Sequence, residues 1–155
     1  MLVVNNLSDT SFIQKNPTCL RLQSYGINCV NTDVKSLPAF KSFLKGRAFI
    51  CACALMADGS AICTSGTLAF LAHCRSINPQ IKIVVCAQSY KYTNKIITHG
   101  SLACNEAPPE RHENSTESFE VKYDQILPQH INIYNTDYGI LTRHNLSCLM
   151  DDKYL

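Results

Sequence analysis

The length, composition and charge of the chain exclude several classes of protein. It has 155 residues, of which 46% are apolar and 17% charged, and its formal net charge is +2 at pH 7. These values are typical of a globular domain, and the charge is too small to indicate nucleic acid or an anionic membrane as a partner. No run approaches the roughly 18 apolar residues of a membrane span, and no signal peptide is visible, so we expect a cytoplasmic protein.

The first part of the chain predicts alternating strands and helices. In chain order, the expected elements are a strand at 2–6, a helix at 12–25, a strand at 27–31 and a helix at 37–44. The strands are expected where short apolar or alternating runs occur, and the helices where apolar residues recur at helical spacing. Gly26 and Gly46 are expected to end the two helices.

Two uninterrupted apolar runs predict the centre of the fold. They span 47–56 and 81–87, and a helix is expected between them over 67–77. Continuous apolar strands are expected in a parallel sheet that helices cover on both faces, and a connection of this length forms a right-handed βαβ unit. We therefore predict an α/β fold with a Rossmann-like open, mostly parallel sheet and helices on both faces.

Residues 105–120 interrupt this pattern. The segment NEAPPERHENSTESFE contains five Glu, two Pro and no aliphatic residue larger than Ala. Such a composition cannot bury much apolar surface. We predict an exposed acidic loop, or a disordered one.

The nine cysteines are expected to be free thiols. Most lie in apolar runs such as FICACALM and IVVCA, where a buried thiol behaves as a small hydrophobic group. Thiols stay reduced in a cytosolic protein. Because no C-x-x-C motif occurs, we predict no metal site, and no motif indicates a cofactor.

The segment ADGSAICTSGT (57–67) is the strongest candidate for a binding site. It follows a predicted strand and leads into a helix, where backbone N–H groups and the helix dipole can hold a phosphate. It lacks the Lys of a P-loop, and the commoner role of its Gly59 and Gly66 is to permit unusual turn dihedrals. Asp58 is expected to be a turn or cap residue. Lys91 follows the next strand and can bind phosphate as a point charge, although a surface lysine is the ordinary alternative.

Two blocks of sequence resemble a known family. They are ALMADGSAICTSGTLAFLAH followed by IVVCAQSYKY, and YDQILPQHINIYNTDYGIL (123–141). They are similar to the signatures of the family that contains the alpha, beta and delta subunits of eukaryotic translation initiation factor 2B, methylthioribose-1-phosphate isomerase and ribose-1,5-bisphosphate isomerase. The resemblance implies a single Rossmann-like C-terminal domain over 1–155, with the family's N-terminal helical domain absent. It also implies a short helix after Pro128, where INIYNT (131–136) alternates like a strand, and we expect the helix.

The resemblance implies that the site of the isomerases has been lost. Their catalytic Asp corresponds to Cys53, and a thiol cannot replace a carboxylate in proton transfer at neutral pH without a large change in its pKa. The Asn of their turn corresponds to Asp58, and their phosphate-contacting Asn-Lys pair corresponds to Cys63 and Thr64. What remains is a vestigial phosphate site made of Gly66, Thr67 and Lys91. We therefore predict no catalytic residue.

This pattern resembles a non-catalytic regulatory subunit of initiation factor 2B, the guanine nucleotide exchange factor for initiation factor 2. Ser89-Tyr90-Lys91-Tyr92 and Cys104-Asn105-Glu106 resemble the delta subunit, whereas the tail 141–155 is nearer to alpha. The partners that the resemblance implies are the other factor 2B subunits, a beta-like one first, and initiation factor 2, whose phosphorylation the regulatory subunits sense.

We also predict a homo- or hetero-dimer through apolar surface near the C-terminus. The predicted interface residues are Ile131, Ile133, Tyr134, Tyr138, Ile140 and Leu141. Two alternative functions stay open: an aldose–ketose isomerase acting on a sugar phosphate, and a non-catalytic sensor of sugar phosphates or nucleotides.

Overall fold

The computed structural model describes residues 2–5, 17–33, 35–96, 122–146 and 148. The chain forms two compact units, one from Met1–Arg47 with Phe70–Ile81 and the other from Ala48–Ala69 with Lys82–Leu155. The predicted acidic loop at 105–120 lies outside the described residues, and the single domain over 1–155 stays a prediction. No helix in the described ranges is long and apolar enough to cross a membrane.

The first unit contains a parallel strand pair and short helices. Strand β1 (Leu2–Asn5) pairs in parallel with β2 (Val30–Asp33), so that Leu2 lies opposite Val30. Helix α1 (Pro17–Ser24) begins at a proline, whose fixed φ suits the first helical position. It ends at Gly26, which has a φ of 74° and donates its N–H to the Gln23 carbonyl. The expected helix near 37–44 is a 3₁₀ helix over Leu37–Phe43.

From Arg47 onward the chain forms most of the sheet structure. Its elements are β3 (Arg47–Cys51), β4 (Ala54–Leu55), β5 (Ala61–Thr64), α2 (Thr67–Ile77), β6 (Lys82–Cys86), β7 (Tyr123–Ile126), β8 (Ile133–Thr136) and β9 (Gly139–Leu141). Four strands form one sheet in the order β3-β6-β8-β9, in which β6 runs parallel to β8 and β9 antiparallel to it. The fold is α/β with a mixed, mostly parallel sheet and helices, as predicted from the sequence.

One face of the four-stranded sheet contains several buried apolar side chains. Its buried side chains include Ala48, Ile50, Ile83, Val85 and Tyr134. On the other face of β3, the Phe49 side chain is 54% exposed. Because successive side chains of a strand point to opposite faces, β3 alternates between buried and exposed positions.

The apolar run 47–56 is therefore not one continuous buried strand, and that prediction is wrong. After Cys51 the chain leaves the four-stranded sheet, and Ala54–Leu55 pairs instead with β5 in a second sheet. This second sheet is antiparallel, with the order β4-β5-β7. Strands β5 and β7 are short, and the sequence pattern did not predict them.

The helix expected over INIYNT (131–136) is also wrong. Only Pro128–His130 forms a 3₁₀ turn, and Ile133–Thr136 is strand β8. Asn132 fixes the start of this strand, because its backbone N–H donates to the Ile83 carbonyl at 3.0 Å while its side-chain oxygen accepts the Ile83 N–H at 2.7 Å. Parallel pairing with β6 satisfies the backbone that a helix would have satisfied internally.

Candidate functional site

The hairpin turn between β4 and β5 contains the first candidate residue, Asp58. Its carboxylate accepts two hydrogen bonds from Ser60, one from the backbone N–H at 2.8 Å and one from the hydroxyl at 2.5 Å. Ser60 is fully buried, and its hydroxyl also accepts a hydrogen bond from the Gln125 amide at 3.3 Å. Asp58 is thus a turn residue whose carboxylate is used inside its own turn.

Tyr134 fixes the same turn from the four-stranded sheet. Its phenolic O–H donates to the Gly59 carbonyl at 2.6 Å, and the tyrosine is fully buried. Burial raises the pKa of Tyr134 to about 12, while Arg143 opposes the rise and Asp58 adds to it. The phenol therefore stays protonated and acts as a hydrogen-bond donor at neutral pH.

Gly59 is packed closely by these neighbours. It has a φ of 86°, and a Cβ atom at this position would lie 3.1 Å from the Tyr134 Oη and 3.4 Å from the Arg143 Cγ. A side chain here would therefore be strained by the backbone and would also press on the phenol. The turn depends on glycine for two separate reasons.

The N-terminus of α2, the predicted phosphate position, meets a carboxylate of the same chain. Gly66 precedes the helix with a φ of 86°, and the Thr67 hydroxyl donates to the Thr64 carbonyl at 2.7 Å. The Leu68 N–H donates to the Asp124 Oδ2 at 2.8 Å. Asp124 therefore satisfies one of the free N–H groups of the helix and is favoured there by the helix dipole. An anion that approached this N–H would meet a negative charge.

Lys91 makes a contact inside the fold. It ends a 3₁₀ turn after β6, and its Nζ donates to the Ala52 carbonyl at 2.8 Å. The first residue of that turn, Ser89, is held by Asp137, which accepts its N–H and its hydroxyl at 2.7 Å each. Lys91 is half-buried, and its ammonium group lies at the junction between β3 and β4.

Cys53, which the resemblance equates with the isomerase acid, lies at this junction. Its N–H donates to the Ile62 carbonyl at 2.7 Å, and its side chain is exposed rather than buried as the apolar run suggests. Cys63 is fully buried opposite Asp124. Burial, with smaller contributions from Cys53, Asp124 and Cys51, raises the pKa of the Cys63 thiol to about 12. Cys63 is therefore a neutral thiol at physiological pH.

The comparisons with known proteins give the fold. No family model matches the sequence, and no curated protein does. Among solved structures, the chain is similar to eIF2B beta from Chaetomium thermophilum, with a TM-score of 0.71, 17% sequence identity, and coverage of 97% of this chain and 40% of that one. The fold is shared with eIF2B subunits.

Two further structures extend this result. A chain of the tetrameric eIF2B-beta2-delta2 complex from C. thermophilum matches with a TM-score of 0.65 and 15% identity, over 97% of this chain and 45% of that one. The 5-methylthioribose 1-phosphate isomerase from Pyrococcus horikoshii OT3 matches with a TM-score of 0.66 and 13% identity, over the same shares. This chain spans less than half the length of each of these structures. The same fold therefore occurs in eIF2B subunits and in an enzyme.

The predicted interface residues separate into core and surface positions. Tyr134 is fully buried and Ile131 is 8% exposed, so the prediction that these two form a surface is wrong. Ile133 and Leu141 are half-buried. Tyr138 and Ile140 are exposed, at 53% and 72%. Ile140 lies on β9, at the end of the sheet order.

Several contacts that organise this region could not be found from the sequence. The bonds of Asp124, Asp137 and Tyr134 join residues that are 48 to 75 positions apart. No local pattern marks such pairs. Among the described residues, no group of three or more His, Cys, Asp or Glu side chains is arranged to hold a metal ion.

Proposed function

We propose that this chain is a delta-like, non-catalytic regulatory subunit of the guanine nucleotide exchange factor for initiation factor 2. Its role is in assembly with other factor 2B subunits and in sensing phosphorylated initiation factor 2. The fold similarity to eIF2B beta and to the eIF2B-beta2-delta2 complex supports this proposal. The sequence blocks that resemble the regulatory subunits support it independently.

The residues at and around Cys53 support the proposal that the chain is not an enzyme. At the position that the resemblance equates with the proton-transferring carboxylate, the chain has the Cys53 thiol, at the junction between β3 and β4. The carboxylates of Asp58 and Asp124 are already engaged, one in the hairpin turn and the other at the start of α2. Removing Asp58 from its contact would leave the N–H of the buried residue Ser60 without this acceptor, and removing Asp124 would leave the Leu68 N–H at the helix start without its acceptor. Gly66, Thr67 and Lys91 are proposed as the remnant of a phosphate site.

The dimer surface is proposed to include the edge around Tyr138 and Ile140. Large exposed apolar side chains next to an edge strand are typical of interaction sites. Ile131 and Tyr134 are buried in the core and are not part of the proposed surface. A partner that covers Ile140 would remove apolar surface from water and protect the edge of the sheet.

The experiment is affinity purification of the tagged chain from its own cells, followed by mass spectrometry. We expect other factor 2B subunits, a beta-like one first, together with initiation factor 2. The variant Ile140→Asp places a charge on the proposed surface and should abolish recovery of the partner subunit. Tyr25→Asp is the matched control, because Tyr25 is 71% exposed and lies in the first unit.

Three outcomes would contradict this proposal. Recovery of the chain alone would exclude assembly, whereas equal loss of partners with both variants would exclude the Ile140 surface. Partner proteins with no role in translation would exclude the regulatory function.

A sugar-phosphate isomerase is the second candidate, favoured by the similarity to 5-methylthioribose 1-phosphate isomerase. Incubation of the purified chain with 5-methylthioribose 1-phosphate should yield no ketose product if the first proposal holds. Conversion that Lys91→Met abolishes would support the isomerase instead.

A phosphate sensor without catalysis is tested by thermal shift. A ligand that binds only the native state raises the melting temperature. A panel of sugar phosphates and nucleotides should leave the melting temperature unchanged under the first proposal. A rise that Lys91→Met removes would identify the Gly66, Thr67 and Lys91 region as a working phosphate site.

A further inference from the structure

Two cysteines of the first unit lie in contact across a chain reversal. Cys19 is in α1, and Cys29 immediately precedes β2. The Cys29 Sγ lies 3.3 Å from the Cys19 carbonyl oxygen, to which it donates a hydrogen bond. Both cysteines are unbridged.

The turn between them fixes this proximity. After α1 the N–H groups of Tyr25 and Ile27 donate to the Leu22 carbonyl at 3.1 Å each, and Gly26 permits the reversal with its positive φ. These bonds bring the chain back along the helix that it has just left. The backbone hydrogen bonds of this turn therefore position Cys19 and Cys29 next to each other.

The two thiols differ in access to solvent. Cys19 is 7% exposed, whereas Cys29 is half-buried. Burial, together with the hydrogen bond to Cys29, raises the pKa of Cys19 to about 11. Cys29 is thus the sulfur that a small oxidant reaches first, and Cys19 is a protonated thiol held beside it.

We propose that Cys19 and Cys29 form a redox-sensitive pair that hydrogen peroxide converts to a disulfide. The Cys29 sulfur attacks one peroxide oxygen, the O–O bond breaks, and the products are a sulfenic acid and one water. The Cys19 sulfur then attacks the Cys29 sulfur, the S–S bond forms, and the hydroxyl group leaves with the Cys19 proton as a second water. Two electrons pass from the two sulfurs to the peroxide, and the product links α1 to the start of β2.

Trypsin provides a direct test on the whole chain. Cleavage after Lys15, Arg21 and Lys35 places Cys19 in the peptide 16–21 and Cys29 in the peptide 22–35. After treatment with hydrogen peroxide, alkylation of the remaining thiols and digestion, we expect these two peptides to be joined, with a mass lower by two hydrogen atoms than their sum. Dithiothreitol should separate them.

Other cysteines act as internal controls in the same digest. Cys51 and its neighbour Cys86 would join the peptides 48–75 and 83–91. The pair 16–21 with 22–35 should be the most abundant disulfide at low peroxide. If these two peptides are recovered as free alkylated thiols while another pair is linked, the proposal is wrong.

Two variants sharpen the test. Cys29→Ser should leave Cys19 free for alkylation, because no sulfenic acid forms beside it. Cys148→Ser, at an exposed position, should leave the link intact. The peptide map of the unmodified chain decides the proposal even if Cys29→Ser fails to fold, and formation of the link in only the unfolded chain would overturn it.

Discussion

Replacement of Gly59 by alanine should destabilise the second unit by about 1.5–3.5 kcal/mol. A φ of 86° costs a non-glycine residue about 1–2 kcal/mol. The new Cβ would also lie 3.1 Å from the Tyr134 Oη, so the phenol must move. Displacement of the phenol strains its hydrogen bond to the Gly59 carbonyl, whose complete loss would add about 0.5–1.5 kcal/mol.

Guanidinium chloride unfolding, followed by circular dichroism, measures this free energy. Two other glycines distinguish the cost of the positive φ from the cost of the contact with Tyr134. Gly139 has a φ of 105° with open space around its Cβ position, so Gly139→Ala reports the backbone cost alone. Gly46 has open space and no positive φ, so Gly46→Ala should be neutral or slightly stabilising.

A double-mutant cycle tests the contact itself. In a Tyr134→Phe background the close oxygen is gone, so Gly59→Ala should cost less than it does in the unmodified chain. Additive effects of the two substitutions would show that they do not act through this contact. A cost for Gly59→Ala no larger than that of Gly46→Ala would refute the whole argument.

Three further predictions concern the helix start, the thiols and the redox pair. Asp124→Ala should destabilise the chain by about 0.5–2 kcal/mol in the same unfolding assay, because the Leu68 N–H loses its acceptor. Asp124→Asn keeps an acceptor and should cost less. Equal stability of the unmodified chain and both variants would contradict the capping role of Asp124. The pKa values of Cys63 and Tyr134 are both raised to about 12, so the unfolded chain loses protons at a lower pH than the folded chain does. The free energy of unfolding should therefore be at its full value below the ordinary thiol pKa of 9.0 and should decline as the pH rises toward 12. Unfolding under reducing conditions at about pH 8 and pH 10.5 should show this decline, and the decline should be smaller in Cys63→Ala. The disulfide between Cys19 and Cys29 closes a loop of about eleven residues and should stabilise the first unit by about 3 kcal/mol; an oxidised chain that unfolds at the same denaturant concentration as the reduced one would contradict that estimate.

The sequence predicts correctly those helices and strands whose residue pattern is local and long enough to show a period. Helix 67–77 is found at its predicted position, because its apolar spacing and the following Pro79 are both local signals. The strand predicted at 81–87 is found as Lys82–Cys86 for the same reason. The strand predicted at 27–31 is found later, at Val30–Asp33, because the reversal after α1 uses the first residues of that run.

The elements that the sequence predicts wrongly, or does not predict, depend on pairing with distant parts of the chain. The run 47–56 is apolar throughout, so nothing in it marks where the chain changes sheets. Strand Ala61–Thr64 is too short to show a period of two, and its partner β7 is about sixty residues away. The helix expected over INIYNT is wrong because pairing with the parallel partner Val84–Cys86 determines a strand, which agrees with the alternation of this segment.

The candidate site is predictable only in part. The turn role of Asp58 is found from the local sequence, because a short acidic side chain before glycine commonly bonds to the backbone two residues later. The position of Tyr134 in the core is not, because its partner lies 75 residues earlier in the chain.

The junction at Ala52 and Cys53 makes the number of residues in this segment a sensitive property. The Ala52 N–H donates to Cys86 in one sheet, and the Cys53 N–H donates to Ile62 in the other. A substitution other than proline keeps both of these backbone N–H donors. An inserted or deleted residue would shift the register on one side, and a shift of one residue turns every side chain of a strand to the opposite face. The exposed position Cys53 should therefore accept other side chains more readily than the segment accepts an inserted or deleted residue.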